Sequence, residues 1–269
     1  MQKEVALVGV PIDHNSSFLQ GPALAPNRIR EAIWRESTNM WSETGVDLSA
    51  AGVWTDAGDI QFGSMDRAAV SEAIRTHTKT LIGEGRRVLS LGGDHSVSYP
   101  LIDAHAQNYD GLNILHIDAH ADLYEDFDDN PFSHASPFAR LMETGRISRL
   151  LQLGIRTLNG HQREVAAKHG VEIIGMKDWD DATDIGFDGP VYMSIDLDGL
   201  DPAFAPGVSH HEPGGFSTRQ VLNLIHNFKG ALVGADIVEL NPHRDINGMT
   251  AMVAARFAKE IIARLHKGA

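Results

Sequence analysis

Seven short apolar runs punctuate the chain: Val5 to Val10, Val88 to Leu91, Asn113 to Ile117, Leu150 to Ile155, Val171 to Met176, Val191 to Ile195 and Leu232 to Val238. Most are bounded by Gly, Asp or Pro, and runs this short with such boundaries read as buried strands. Several of the intervening segments carry helical spacing. Val70, Ile74, His77 and Leu81 fall on one stripe, as do Val253, Phe257 and Ile261 near the C-terminus. Ser217 followed by Gln220 predicts a capping box at the start of a helix through Val221, Leu224 and Ile225. Strands alternating with helices require crossover connections, which predicts an α/β fold with a mainly parallel sheet covered on both faces. In such sheets ligands bind at the carboxyl ends of the strands. No Pro-, Gly- or Ser-rich linker divides the 269 residues, so residues 1–269 read as a single domain.

Three of the runs deliver acids or histidines where they stop. Asp118-Ala119-His120-Ala121-Asp122 follows Asn113 to Ile117, and a period of two in an extended chain turns Asp118, His120 and Asp122 to one side. Asp196-Leu197-Asp198 follows Val191 to Ile195 with the same spacing, and Gly92-Gly93-Asp94-His95 follows Val88 to Leu91 with two glycines for a tight turn. Carboxylates converging at buried strand ends repel one another and are costly to desolvate, so they ask for a compensating cation. The chain has no cysteine, which removes disulfides and thiolate ligands and leaves nitrogen and oxygen donors. Four carboxylates and two imidazoles form an oxygen-rich set that favours Mn²⁺ over structural Zn²⁺, and water between two such ions ionises at a pH of roughly 7. An isolated Asp-x-His is ordinarily a turn or a cap. Asp103-Ala104-His105, in a helical stretch with Gln107 in place of a third acid, reads as surface. Phe18 and Trp34 read as core residues, and His210 and His211 as pocket wall or interface rather than ligands. Arg156, at a strand end, reads as a structural tie between loops.

Gly92-Gly93-Asp94-His95, Asp118-Ala119-His120-Ala121-Asp122 and Ser194-Ile195-Asp196-Leu197-Asp198-Gly199-Leu200-Asp201-Pro202 resemble, in order, the three signatures of the arginase/agmatinase (ureohydrolase) family. The resemblance is nearest to the plant-type arginase branch, through His14-Asn15-Ser16-Ser17-Phe18-Leu19-Gln20-Gly21-Pro22, Ser133-His134-Ala135-Ser136, Pro206-Gly207-Val208-Ser209-His210 and the segment from Gly248 to Ala255. It implies a three-layer α/β/α sandwich, a binuclear manganese centre with two Mn²⁺ per chain, and a homo-oligomer, trimer or hexamer. It implies His95, Asp118, His120, Asp122, Asp196 and Asp198 as metal ligands, with Asp122 also holding a bridging hydroxide. It further implies His134 as proton shuttle and Glu239 as the acid that grips a guanidinium. The activity implied is hydrolysis of L-arginine to L-ornithine and urea, with agmatine second and guanidinobutyrate third. Thr157 to Gln162 lacks the acids with which animal-type arginases recognise the substrate's α-amino group, a pattern that plant-type members also lack.

The formal charge of −13 suits a small cationic substrate and repels nucleic acid and anionic membranes. The residues before Val5 are too few for a signal-peptide apolar core or a membrane span, from which a cytoplasmic location is expected. Two other classes stand beside the ureohydrolase reading. One is a single-zinc deacetylase of similar fold; the other is a non-enzymatic scaffold, which predicts a broken ligand set where this chain carries a full one.

Overall fold

A computed structural model describes residues 2–268. Eight parallel strands form one sheet: β1 (Val5–Val10), β2 (Trp54–Asp59), β3 (Arg87–Gly92), β4 (Leu112–Ile117), β5 (Ile147–Ile155), β6 (Glu172–Gly175), β7 (Gly186–Asp196) and β8 (Lys229–Val238), in the spatial order β2-β1-β3-β8-β7-β4-β5-β6. Among the described residues the α-helices are α1 (Ala25–Ile33), α2 (Arg67–Gly83), α3 (Ser98–Ala106), α4 (Pro137–Glu143), α5 (Gly160–His169), α6 (Thr218–Asn227) and α7 (Met249–Lys267).

Strand alternation sorts the apolar side chains into two cores. Val5, Leu7, Leu89, Leu91, Leu115, Ile117, Met193 and Ile237 pack on one face with Ile29 of α1, Val221 of α6 and Phe257 and Ile261 of α7. Their neighbours in sequence, including Ala6, Val8, Val88, Ile114 and Tyr192, pack on the other with Ile74 of α2, Leu101 of α3, Phe138 of α4 and Val165 of α5. Burial on both faces is why the strands read as continuous apolar runs instead of alternating ones. The fold is the α/β/α sandwich that the alternation and the resemblance predict, and the Ser217–Gln220 capping box forms at the start of α6.

The strand missed by the sequence reading is β2, Trp-Thr-Asp-Ala-Gly-Asp, which lies at the sheet edge and pairs only with β1. An edge strand that is largely exposed needs no apolar run, and its acids discourage pairing with another chain.

Register fixes where the strands end. Leu91 pairs with Ile237, Ile237 with Ile195, and Ile195 with Ile117, so β3, β8, β7 and β4 reach one level side by side. The chain segments leaving these four central strands carry His95, Glu239, Asp196 with Asp198, and Asp118 to Asp122.

Two expectations about individual residues are corrected. Asp103 and His105 are not surface residues: α3 packs against α2, and both side chains are buried. Asp103 accepts from Arg75 Nε at 2.6 Å and Arg146 Nε at 3.1 Å, while burial pushes His105 down to about 4, leaving a neutral ring bonded to Leu101 O. Phe18 and Trp34 are not core but exposed, at 67% and 60%; Trp34 stacks on Trp54 and Phe18 lies beside His210. Single apolar residues on a surface are common, and composition alone does not sort them.

Burial opposes ionisation of Asp103, but the two guanidinium groups hold its carboxyl below the usual aspartate range. Its folded pKa therefore lies below its unfolded one, and its stabilisation is full above about pH 4 and lost as pH falls through the folded value. Asp103→Ala should lower unfolding free energy by about 2–3 kcal/mol at pH 7, the cost of stranding a partly exposed buried pair, with a difference from wild type that shrinks in acid. Urea melts at pH 7 and pH 3 measure both effects.

Candidate metal centre

After β3 the chain passes so close to the β1 end that a Cβ on Gly93 would lie 1.7 Å from Ile12 O. Only glycine permits this approach. Asp94 then turns back to accept Ser96 N at 3.1 Å and Asn15 N at 2.9 Å, which fixes the turn and delivers His95 inward. After β4 the chain does not stay extended, as the period-two reading expected. It bends at Ala119 and His120, and Asp122 adopts a left-handed conformation with φ 49°. Asp118, His120 and Asp122 thus converge by a turn. Asp196 closes β7, and its Oδ1 accepts Asp198 N at 2.8 Å, starting the short 3-10 turn Leu197–Gly199.

The six side chains named from the resemblance come together. His95 Nδ1 lies 3.2 Å from Asp118 Oδ2, 3.0 Å from Asp122 Oδ2 and 3.1 Å from Asp196 Oδ2. His120 Nδ1 lies 3.1 Å from Asp198 Oδ2 and 3.5 Å from Asp118 Oδ1. Donor atoms of His95, His116 and Asp118 form one group with metal-binding spacing, and those of Asp118, His120 and Asp198 form a second, sharing Asp118.

The far side of His95 shows which nitrogen is free. Ser194 Oγ donates to Asp236 Oδ1 at 2.6 Å, so it must accept from His95 Nε2 at 3.0 Å. With its proton on Nε2, a neutral His95 turns the lone pair of buried Nδ1 toward three carboxylates, and Nδ1 has no hydrogen-bond partner. A lone pair facing three anionic oxygens is repulsive unless a cation or a proton sits among them. The donor set fits one or more divalent cations bound by nitrogen and oxygen.

Charge displacement across the site has the same cause. Burial, then repulsion by Asp198 and Asp118, holds Asp196 well above the usual carboxylate range. Burial and the Asp118 charge push Asp198 up to about 7 against the pull of His120. Asp118 goes the other way, its contacts with His116, His120 and His95 outweighing burial. His95 and His120 are both raised, because neighbouring carboxylates overcome the burial that would lower them. Protons thus occupy the cluster in the absence of a stronger cation.

A second constellation adjoins it. Glu239, with φ 64°, accepts His95 N at 2.9 Å and shares Oε1 with His134 Nδ1 at 2.9 Å. Ser17 N donates to His134 Nε2 at 3.1 Å, and Ser17 Oγ lies 2.8 Å from it. Burial would lower His134, but Glu239, Asp122 and Asp94 raise it to about 9. Glu239 Oε2 is buried and unpartnered. These groups line a cleft of about 310 Å³ whose other walls include Tyr124, Phe127, Gln162, His210 and Glu212.

Over residues 3–263 the sequence matches the model of the arginase family. The chain belongs to this family. It is 49% identical to arginase 1, mitochondrial, of Arabidopsis thaliana over 97% of this chain and 81% of that one. It is 33% identical to an agmatinase of Chromobacterium violaceum over 96% and 83% of the two chains. The solved structure of arginase from Medicago truncatula superimposes with a TM-score of 0.93 at 44% identity, covering 98% of this chain and 88% of that one.

The names of the plant relatives correct the expected compartment. The Arabidopsis relative is named as mitochondrial, which overturns the cytoplasmic expectation. An address is read by receptors from sorting information, which the composition of a folded domain does not carry. Among the described residues no helix is long and apolar enough to cross a membrane.

Other readings are met by the geometry. His210 is a wall residue, its ring 5.7 Å from His120 and 5.4 Å from His134. Arg156 ties loops together, donating to the carbonyls of Asp198 and Glu212 at 2.7 and 2.6 Å. The sequence reading passed over Glu212, whose Oε1 lies 3.7 Å from His120 Nε2, and the buried pair His116 and Gln152. The signal for that pair was a polar residue interrupting each of two apolar runs, since a buried polar group persists only with a partner.

Metal ligands bind deprotonated, so loading this cluster must expel its protons. Adding Mn²⁺ to the metal-free protein in weak buffer at pH 7 should release more than about one proton per chain, as read with a pH indicator. Uptake without proton release would contradict the charge arrangement described above.

Proposed function

We propose that this single-domain chain is a manganese-dependent ureohydrolase that cleaves L-arginine to L-ornithine and urea. Six residues, His95, Asp118, His120, Asp122, Asp196 and Asp198, would hold two Mn²⁺ ions, and the two clusters that share Asp118, one around His95 with Asp122 and Asp196 and one around His120 with Asp198, support a paired site. Bound there, the ions would neutralise the carboxylates and supply an ionised water near neutral pH.

The observation that carries the substrate class is the free Oε2 of Glu239, buried in the wall of the same cleft. Its sister oxygen is already engaged by His134 Nδ1 and His95 N, so the carboxylate cannot turn away. A guanidinium remains protonated at working pH, and its N–H groups complete this acceptor as a charge-assisted hydrogen bond. Glu239 therefore orients the central guanidinium carbon toward the acid cluster, which fixes the line of attack. Asp122, which lines the same cleft, can take the proton left on the attacking oxygen as the tetrahedral centre collapses to urea. His134 is raised to about 9 and can take up a proton on Nε2 once the Ser17 N–H contact is released, with Ser17 Oγ left to accept from it, and can pass that proton to the departing amine.

At the outer cleft Glu212 offers the carboxylate that the Thr157 to Gln162 stretch lacks. Arg156 pins its backbone to the Asp198 loop, and its side chain is placed to receive a substrate ammonium. The Tyr124 hydroxyl, which accepts from Asn159 Nδ2 and keeps its own hydrogen, and the Gln162 amide line the same cleft and can donate to the substrate carboxylate. No Lys or Arg is among the residues lining it, and this favours agmatine, which has no carboxylate, as the second reading. Identity near one half with arginases ranks arginine first. Assembly as a trimer or hexamer, as the sequence resemblance implies, belongs to the same proposal.

Urea release from Mn²⁺-loaded protein, with arginine, agmatine and guanidinobutyrate compared, tests the assignment. Arginine should give the highest kcat/KM; a clear preference for agmatine would reverse the ranking, and one bound zinc with no urea would support a deacetylase. Glu239→Gln should lower kcat/KM for arginine by about a hundredfold, the worth of a buried charge-assisted pair near 3 kcal/mol. His134→Asn should lower kcat by about 10²–10⁴ with a smaller change in KM, as loss of general acid catalysis predicts.

A further inference from the structure

Beneath the acid cluster lies a fully buried polar row. Ser90 pairs with Asp236, Asp236 with Ser194, Ser194 with His116, and His116 with Gln152, one on each of five adjacent strands. One end of it supports His95 through Ser194 and Asp236, as described above. The other end reaches Asp118.

Gln152 Nε2 lies 2.6 Å from Ala121 O. A carbonyl oxygen only accepts, so the facing atom is the amide nitrogen; a flipped amide would set two carbonyl oxygens against each other. The same nitrogen lies 3.0 Å from His116 Nδ1 and spends its second hydrogen there, so Nδ1 carries the lone pair. The neutral ring then bears its hydrogen on Nε2, which donates to Asp118 Oδ2 at 2.8 Å. Phe138 packs over the His116 ring with centroids 3.9 Å apart and blocks reorientation.

We propose that Gln152 and His116 are positioning residues that set the Asp118 carboxylate, and that His116 is not a metal ligand although its donor atom has ligand spacing to His95 and Asp118. A protonated Nε2 has no lone pair to give a cation. With His116 on Oδ2 and His120 N on Oδ1 at 2.6 Å, the Asp118 plane is fixed and its remaining lone pairs are directed. By holding Ala121 O, the same glutamine amide also fixes the peptide that precedes the left-handed Asp122. One side chain thus governs two of the proposed ligands.

This inference rests on the metal reading of Asp118, and its test separates the two. Mn²⁺ affinity and stoichiometry would be measured by chelator competition for wild type, His116→Phe and His116→Gln, alongside melting of each metal-free protein. The phenylalanine variant should keep the wild-type stoichiometry but bind about ten- to a hundredfold more weakly, the usual effect of removing a partner that orients a ligand. The glutamine variant, whose amide can still donate to Asp118, should recover most of the affinity. Loss of one whole equivalent of Mn²⁺ in His116→Phe would make His116 a ligand and overturn the proposal, as would unchanged affinity. Nitrogen-15 NMR of the wild-type metal-free protein provides a readout independent of variant folding: His116 should be protonated at Nε2 and bare at Nδ1, and the opposite tautomer overturns the arm. A wild-type chain that takes up no Mn²⁺ refutes the metal reading itself, while the ring tautomer still decides the hydrogen-bond arm.

Discussion

Three carboxylate oxygens within 3.2 Å of one buried imidazole nitrogen cannot coexist without positive charge among them. That constraint organises the rest of the centre. Protons drawn onto Asp196 and Asp198, the opposite displacement of Asp118 and the raised histidines are responses to a single excess of anion in a dry place. A divalent cation answers it more completely than protons do, because one ion carries two charges and accepts lone pairs from His95 Nδ1 and from several carboxylates at once.

The scaffold holds such a cluster because the parts that meet there are stiff. Four central strands end at one level, and each is buried on both faces by the helices of a three-layer sandwich. Asp122 and Glu239 keep left-handed backbones at a cost on the order of 1–3 kcal/mol each, sustained by neighbours that leave them no alternative. For Glu239 those neighbours are His95 N and His134; for Asp122, Gln152 holds the preceding carbonyl. Side chains of the buried polar row then fix the faces that the ligands present. Precision at the site is inherited from the sheet register.

Much of this was legible beforehand in particular residues. The apolar runs marked six strands that both faces of the sheet bury and also the edge strand β6, whose Ile173 and Ile174 still pack on the two cores; β2, at the other edge and largely exposed, has no such run and escaped. Acids placed just after Ile117 and Ile195 announced a charged site, since such groups are tolerated at buried strand ends only with compensation. Asp103 and His105 deceived for a related reason. A buried acid there is neutralised by Arg75 and Arg146, which lie far from it in sequence, and no local pattern reveals that pairing.

By itself the sequence determined the layered fold, through apolar runs that are local properties of the chain, and the family with its converging acids and histidines, through signatures that are contiguous in it. Tertiary structure decided what depends on which strands stand side by side. The order β3-β8-β7-β4 brought His95, Glu239, Asp196 and Asp118 to one rim, and the register of β4 against β5 set Gln152 beside His116. It also decided which nitrogen of each histidine is free, since a tautomer is fixed by the donor or acceptor across the ring, and those partners lie tens of residues away along the chain.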